Sequence, residues 1–160
     1  MQKILVSSCL LGSPVRYDGK SKYCQHLLLR QWQRENRLIA VCPEVSGGLS
    51  IPRPAAEIQH PLGTGISVLT EYGEDVSAAF QEGAQNALEL IRKHAIRIAI
   101  LKDGSPSCGS RIIYDGSFRG RTLAGTGITT RLLWENGIQV FPESELEAAA
   151  AALGRLENEA

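Results

Sequence analysis

Lys3-Ile4-Leu5-Val6-Ser7-Ser8-Cys9-Leu10-Leu11-Gly12 opens the chain with three consecutive apolar residues, two serines and a cysteine. Ile4, Leu5 and Val6 run without alternation. A strand of that kind is covered on both faces and belongs to a parallel sheet. The same arrangement returns twice. Leu38 to Val41 ends at Cys42-Pro43-Glu44, and Ile96 to Leu101 leads into Lys102-Asp103-Gly104-Ser105-Pro106-Ser107-Cys108-Gly109. Ile138 to Phe141 reads as a fourth strand.

Helical patterns separate these strands. Tyr23 to Asn36 places Leu28 and Trp32 one turn apart. Asp75 caps a helix that runs to about His94, with Val76, Phe80, Ala84, Leu88 and Ile91 on one face. Thr126 or Thr129 opens another helix through Asn136, closed by Gly137. Ser144-Glu145-Leu146-Glu147 has the capping-box pattern and starts an Ala-rich helix, with a polar, fraying tail after Gly154. Ile66 to Leu69 reads as one arm of a hairpin. Residues 43–65 hold four prolines and four glycines and read as a long functional loop. Alternating strands and helices give a single α/β domain over residues 1–154, followed by a tail at 155–160. Its sheet is mainly parallel (Rossmann-like) and flanked by helices.

Composition narrows the functional classes. The chain of 160 residues has 17 basic and 17 acidic side chains, so it carries no overall field for a polyanion, which argues against nucleic acid as a partner. No apolar run spans a bilayer, so no membrane is expected. Lys3 precedes only a short apolar stretch without a cleavage site; it reads as strand rather than leader, and the cytoplasm is the expected compartment. The four cysteines include no Cys-x-x-Cys pair, which removes the main argument for a zinc ribbon or a dithiol redox site.

Open α/β sheets bind ligands beyond the carboxyl ends of their strands. Cys9, Cys42 and Cys108 each follow such an end and are expected to converge there. Cys24 lacks that context and reads as a small buried hydrophobe. Three thiolates select soft centres. No histidine shares their loops, since His26, His60 and His94 fall elsewhere and suit surface or capping positions. An iron–sulfur cluster fits better than zinc and leaves one iron free of protein ligands. Glu44 lies two residues after Cys42, in reach of anything bound there, and partial burial would suit it to proton transfer. Ser105 and Ser107 offer hydroxyls beside Cys108. Gly47 and Gly48 permit close approach of a flat ligand. Arg53 and Lys102 are candidate anion contacts. Each of these also has an ordinary role, as a turn, brace or solvated side chain. Tyr17-Asp18-Gly19 and Tyr114-Asp115-Gly116 follow two of the cysteine loops. They suggest two similar turns flanking one site, or the chance recurrence of a common turn dipeptide.

The blocks Val6–Gly12 with Val15–Gly19, Val41–Leu49 with Ile51–Ile58, and Leu101–Ser110 with Ile113–Phe118 together resemble the thiouracil desulfidase family over about Lys3 to Glu145. The resemblance implies a 4Fe–4S cluster on Cys9, Cys42 and Cys108, with Glu44 as acid/base and Ser105 as a substrate contact. It implies removal of sulfur from thiolated uracil as hydrogen sulfide, without net redox change. The substrate would be 2- or 4-thiouracil or 4-thiouridine monophosphate, its soft thiocarbonyl sulfur meeting the open iron. Two alternatives keep the cluster: desulfuration of thiouridine in transfer RNA, and a non-catalytic redox or oxygen sensor, which would carry four protein ligands.

Overall fold

The structure, a computed structural model, describes residues 1–60 and 65–159. In chain order the elements are β1 (Ile4–Ser7), α1 (Leu27–Arg34), β2 (Leu38–Val41), α2 (Pro43–Ser46), β3 (Ala56–Gln59), β4 (Ser67–Thr70), α3 (Ser77–Lys93), β5 (Ile98–Ile100), β6 (Ile112–Tyr114), β7 (Thr122–Ala124), α4 (Ile128–Glu135), β8 (Gln139–Phe141) and α5 (Leu146–Asn158).

The central sheet has the order β2-β1-β5-β8, and every pairing in it is parallel. Both faces are covered. Ile4, Val6, Ile98 and Ile100 meet Leu29 and Trp32 of α1 and Leu146, Ala149 and Leu153 of α5. Leu5, Ala99 and Leu101 face the other way, onto Ala87, Leu88 and Ile91 of α3 and Leu133 of α4. The unbroken apolar runs follow from this, because each successive side chain enters a different core. Ile4, Leu5 and Val6 are fully buried, which contributes about 2 kcal/mol each. The chain leaves β1 toward β2 on one side and later fills β5 and β8 on the other. The strand order therefore reverses at β1, where such sheets open a ligand crevice.

Several expectations shift. The prolyl segment 43–65 contains α2 and β3, and β3 pairs antiparallel with β4 as a hairpin; residues 61–64 of the predicted loop lie outside the described residues. A second hairpin, β6–β7, has no counterpart in the sequence reading. The capping box at Ser144 does not form. Glu143 bonds Lys102 and Asp103, Glu145 grips Arg111, and Glu147 meets His26, so a 3-10 turn at Glu143–Glu145 precedes α5 instead. The tail expected after Gly154 continues α5 to Asn158, because Leu156 falls on the same face as Ala149, Ala152 and Leu153 and is buried with them. His26 caps α1 by accepting the Leu28 N–H at Nδ1, and Cys24 packs on the edge of the α1/α5 core. Among the described residues no helix is long and apolar enough to cross a membrane.

Candidate active site

The three cysteines follow three adjacent strands, β2, β1 and β5, and all three line one cavity of about 70 Å³ at the carboxyl edge of the sheet. Cys9 sits in a 3-10 turn directly after β1. Cys42 precedes Pro43, the first residue of α2, where a missing N–H costs nothing. Its thiol points to the Val15 carbonyl at 3.8 Å. Cys108 lies in a loop that closes the start of α4. The N–H groups of Gly127, Ile128 and Thr129 donate to the carbonyls of Gly109, Pro106 and Ser107, and the Thr130 hydroxyl donates to the Cys108 carbonyl. The loop itself therefore satisfies the free amides of that helix end. Burial pushes the Cys9 thiol up to about 11 and Cys108 up to about 12, with Cys42 raising both further. Cys42 is raised as well, chiefly by burial.

Glu44 shares the cavity with Arg53 and Ser105. Its Oε1 accepts from Arg53 Nε at 3.2 Å, and its Oε2 faces the Ser105 hydroxyl at 3.5 Å. Burial pushes the Glu44 carboxyl above its ordinary value, and Arg53 opposes that without cancelling it. Ser105 Oγ accepts the N–H groups of Ser107 and Cys108, each at 3.0 Å. With its lone pairs held there, its own proton is directed at Glu44.

The other sequence candidates divide. Arg53 is only 5% exposed, and its remaining nitrogens donate to the Ser50 and Val15 carbonyls at 3.1 and 2.9 Å. Each of its three nitrogens thus donates one hydrogen bond within the protein, which orders Glu44 and the loop at Val15. Ser107 is completely buried and bonds Thr129 Oγ1 at 2.7 Å, which places it behind the cavity wall instead of on it. Gly47 also lies off the cavity. A Cβ there would collide with the Ala79 carbonyl, and one at Gly83 with the Pro43 carbonyl, so this glycine pair lets α2 pack on α3. Gly48 has φ +104° with open space around it, and serves a turn. Lys102 does line the cavity, paired with Glu143 at 2.8 Å.

Sequence reasoning assigned no role to Arg16 or Lys22. Arg16 and Tyr17 line the thiol cavity and, with Lys22, Lys102, Ser105 and Tyr114, a second one of about 390 Å³ that adjoins it. The repeated Tyr-Asp-Gly was the available signal for that region.

The donor set fits an iron–sulfur cluster. Among the described residues no group of three or more His, Cys, Asp or Glu is gathered tightly enough to hold a single ion, yet three thiols ring one cavity. Buried thiols this hard to ionise need a positive centre to accept their charge. Neither a histidine nor Cys24 joins the lining.

Comparison with known proteins bears on this geometry. The model of the 2-thiouracil desulfurase family matches residues 4–145. An uncharacterized protein of Bacillus subtilis strain 168, YbbK, is 39% identical over 148 residues, which cover 89% of this chain and 97% of that protein. The solved structure of the 4Fe-4S-dependent thiouracil desulfidase TudS is 52% identical and superposes with a TM-score of 0.92, covering 96% of this chain and 99% of that one.

Proposed function

The chain belongs to the 2-thiouracil desulfurase family, and on that premise we propose that it is an iron–sulfur-dependent thiouracil desulfidase. Cys9, Cys42 and Cys108 would hold a 4Fe–4S cluster. Bound there, with one iron free of protein ligands, it supplies a soft Lewis acid suited to a thiocarbonyl sulfur. The single observation that carries the reading is the convergence of three desolvated thiols and one buried carboxylate on the same cavity.

The protein's own groups manage the proton. Arg53 fixes Oε1 of Glu44, which leaves Oε2 for chemistry. That oxygen takes a proton from the water that attacks the thiolated ring carbon, and returns one to the departing sulfur. Water enters and hydrogen sulfide leaves, so no electron acceptor is needed. Ser105 holds its hydroxyl 3.5 Å from Oε2, the outer limit of a hydrogen bond, so it is only weakly engaged there and free to turn toward a group that enters the cavity. Its hydroxyl donates to what enters.

The substrate we favour is a pyrimidine thiolated at a ring carbonyl, free or as 4-thiouridine monophosphate. The larger outer cavity with Arg16, Lys22 and Lys102 supports the phosphorylated form. Lys102 faces Glu143, Arg53 is engaged and Arg16 pairs with Asp18 at 3.5 Å, so Lys22 is the first cation that would meet phosphate. The reading places its action in the cytoplasm, where thiols stay reduced.

Anaerobic rebuilding with iron and sulfide, followed by incubation with 4-thiouracil and with 4-thiouridine monophosphate, tests this. Loss of thiocarbonyl absorbance with release of hydrosulfide is expected only in the rebuilt protein. Equal activity in a metal-free preparation contradicts it.

A further inference from the structure

Tyr17-Asp18-Gly19 and Tyr114-Asp115-Gly116 lie almost a hundred residues apart in sequence and in unrelated elements, one in the loop after β1 and the other at the end of β6. They are built alike. Asp18 Oδ1 accepts the N–H of Lys20 at 3.0 Å, and Asp115 Oδ1 accepts the N–H of Ser117 at 2.9 Å. In each the intervening glycine takes a left-handed conformation, φ +75° at Gly19 and +94° at Gly116. The aspartate thus closes a turn on its own backbone two residues on, and glycine supplies the positive φ the turn needs.

Both turns present their tyrosine to one place. Tyr17 and Tyr114 line the outer cavity of about 390 Å³, and Tyr17 also lines the thiol cavity. The two residues are 42% and 40% exposed, more than a packing role requires. Each is held. The Tyr17 carbonyl accepts the Arg53 N–H at 2.8 Å, and the Arg16 guanidinium lies over its ring at 5.6 Å from the centroid. Tyr114 is paired with Thr122 in the β6–β7 hairpin, and glycine at position 104 leaves clear the space beside its Cε2. Of these two exposed but anchored aromatics, the one that borders the thiol cavity suits a flat, weakly polar ring, which binds by stacking, and the outer one suits the C–H face of an attached sugar.

Building on the desulfidase reading, we propose that Tyr17 and Tyr114 are specificity-determining residues that grade the substrate by its size. Tyr17, which borders both cavities, stacks on the pyrimidine of every substrate. Tyr114, which borders only the outer one, contacts the sugar of a nucleotide and is out of reach of a free base. The site then discriminates between a thiolated base and its nucleotide through the outer turn alone, without altering the chemistry at the thiols.

The test compares wild type with Tyr17→Leu, Tyr114→Leu and the ring-preserving Tyr17→Phe and Tyr114→Phe, all as rebuilt holoenzyme with iron and sulfide counted. Steady-state kinetics use 4-thiouracil and 4-thiouridine monophosphate. Calorimetric titration uses the oxo products, uracil and uridine monophosphate, so that binding is read independently of turnover. Tyr114→Leu is expected to raise KM for the nucleotide about tenfold, and to weaken uridine monophosphate to match. It should leave the free base and kcat unchanged. Tyr17→Leu should raise KM for both substrates, and both Phe variants should behave as wild type. Wild-type constants for both substrates in both Leu variants overturn the proposal, as does an equal loss for base and nucleotide in Tyr114→Leu. A wild-type holoenzyme that converts neither compound, nor 2-thiouracil, overturns the desulfidase reading itself, a result distinct from active but unselective variants.

Discussion

Glu44 has its two oxygens in different surroundings, one against the Arg53 guanidinium and one toward Ser105 and the cavity. Glu44→Gln keeps the shape and removes the proton acceptor. It is expected to lower kcat by about 100-fold, the low end for a general acid–base group, with visible absorbance and iron content unchanged. A cluster that served only as a sensor would be indifferent to that substitution. Arg53 makes a different prediction. Its side chain is nearly inaccessible, and removing it leaves a buried carboxylate without its partner. Arg53→Met is expected to destabilise the fold by about 3 kcal/mol, read as a lower denaturation midpoint. A solvated, anion-binding arginine would leave that midpoint within experimental error. The contrast shows where sequence stops at this scale. The meeting of Cys9, Cys42 and Cys108 in one cavity was legible because each stands in a strand-end context that repeats, and that of Glu44 because it follows Cys42 by two residues. The contacts of Arg53 with Glu44 and of Ser107 with Thr129 were not, since orientation within a Pro- or Ser-rich loop depends on distant partners that no local pattern encodes.

The loop between β5 and β6 and the contact of α2 with α3 carry the site at the next scale. Asp103 Oδ1 accepts four backbone N–H groups, from Gly104, Ser110, Arg111 and Ile112. The staple closes the loop that bears Ser105 and Cys108. Burial raises the Asp103 carboxyl, but these donors outweigh it and hold the group below its ordinary value. A depressed folded-state value stabilises the protein above the unfolded-state value near 4 and loses that contribution as pH falls through the folded one. The stability difference between wild type and Asp103→Ala is therefore expected to shrink between pH 7 and pH 3, followed by chemical denaturation at each pH. A difference independent of pH contradicts the staple. Gly83 acts from a distance. An alanine there collides with the Pro43 carbonyl and must push α2, with Cys42 at its start, away from α3. Gly83→Ala is expected to lower the iron bound per chain, even though alanine is the better helix former by about 1 kcal/mol. The close approach was invisible in sequence because the helical pattern of α3 accommodates a glycine without comment.

Over the whole molecule, the parallel sheet does the work of convergence. Three strand ends lie side by side at the point where the strand order reverses, so residues 9, 42 and 108 meet although long stretches of chain separate them. That architecture was readable from unbroken apolar runs, which report strands buried on both faces. The β6–β7 hairpin was not, because Ile112-Ile113-Tyr114 and Thr122-Leu123-Ala124 are too short to show a period. Nor was the full reach of α5, whose last buried residue, Leu156, is isolated among polar neighbours. The hairpin places Tyr114 on the wall of the outer cavity. The central claim is that Cys9, Cys42 and Cys108 alone hold the iron centre. Iron and acid-labile sulfide, counted in anaerobically rebuilt protein and in Cys9→Ser, Cys42→Ser, Cys108→Ser and Cys24→Ser, test it most directly. Equal amounts of iron and sulfide in wild type and Cys24→Ser, with loss of the cluster or of its stability to chelation in each of the other three, is the predicted result. A cluster that survives unchanged in any of those three, or that disappears with Cys24, would contradict it.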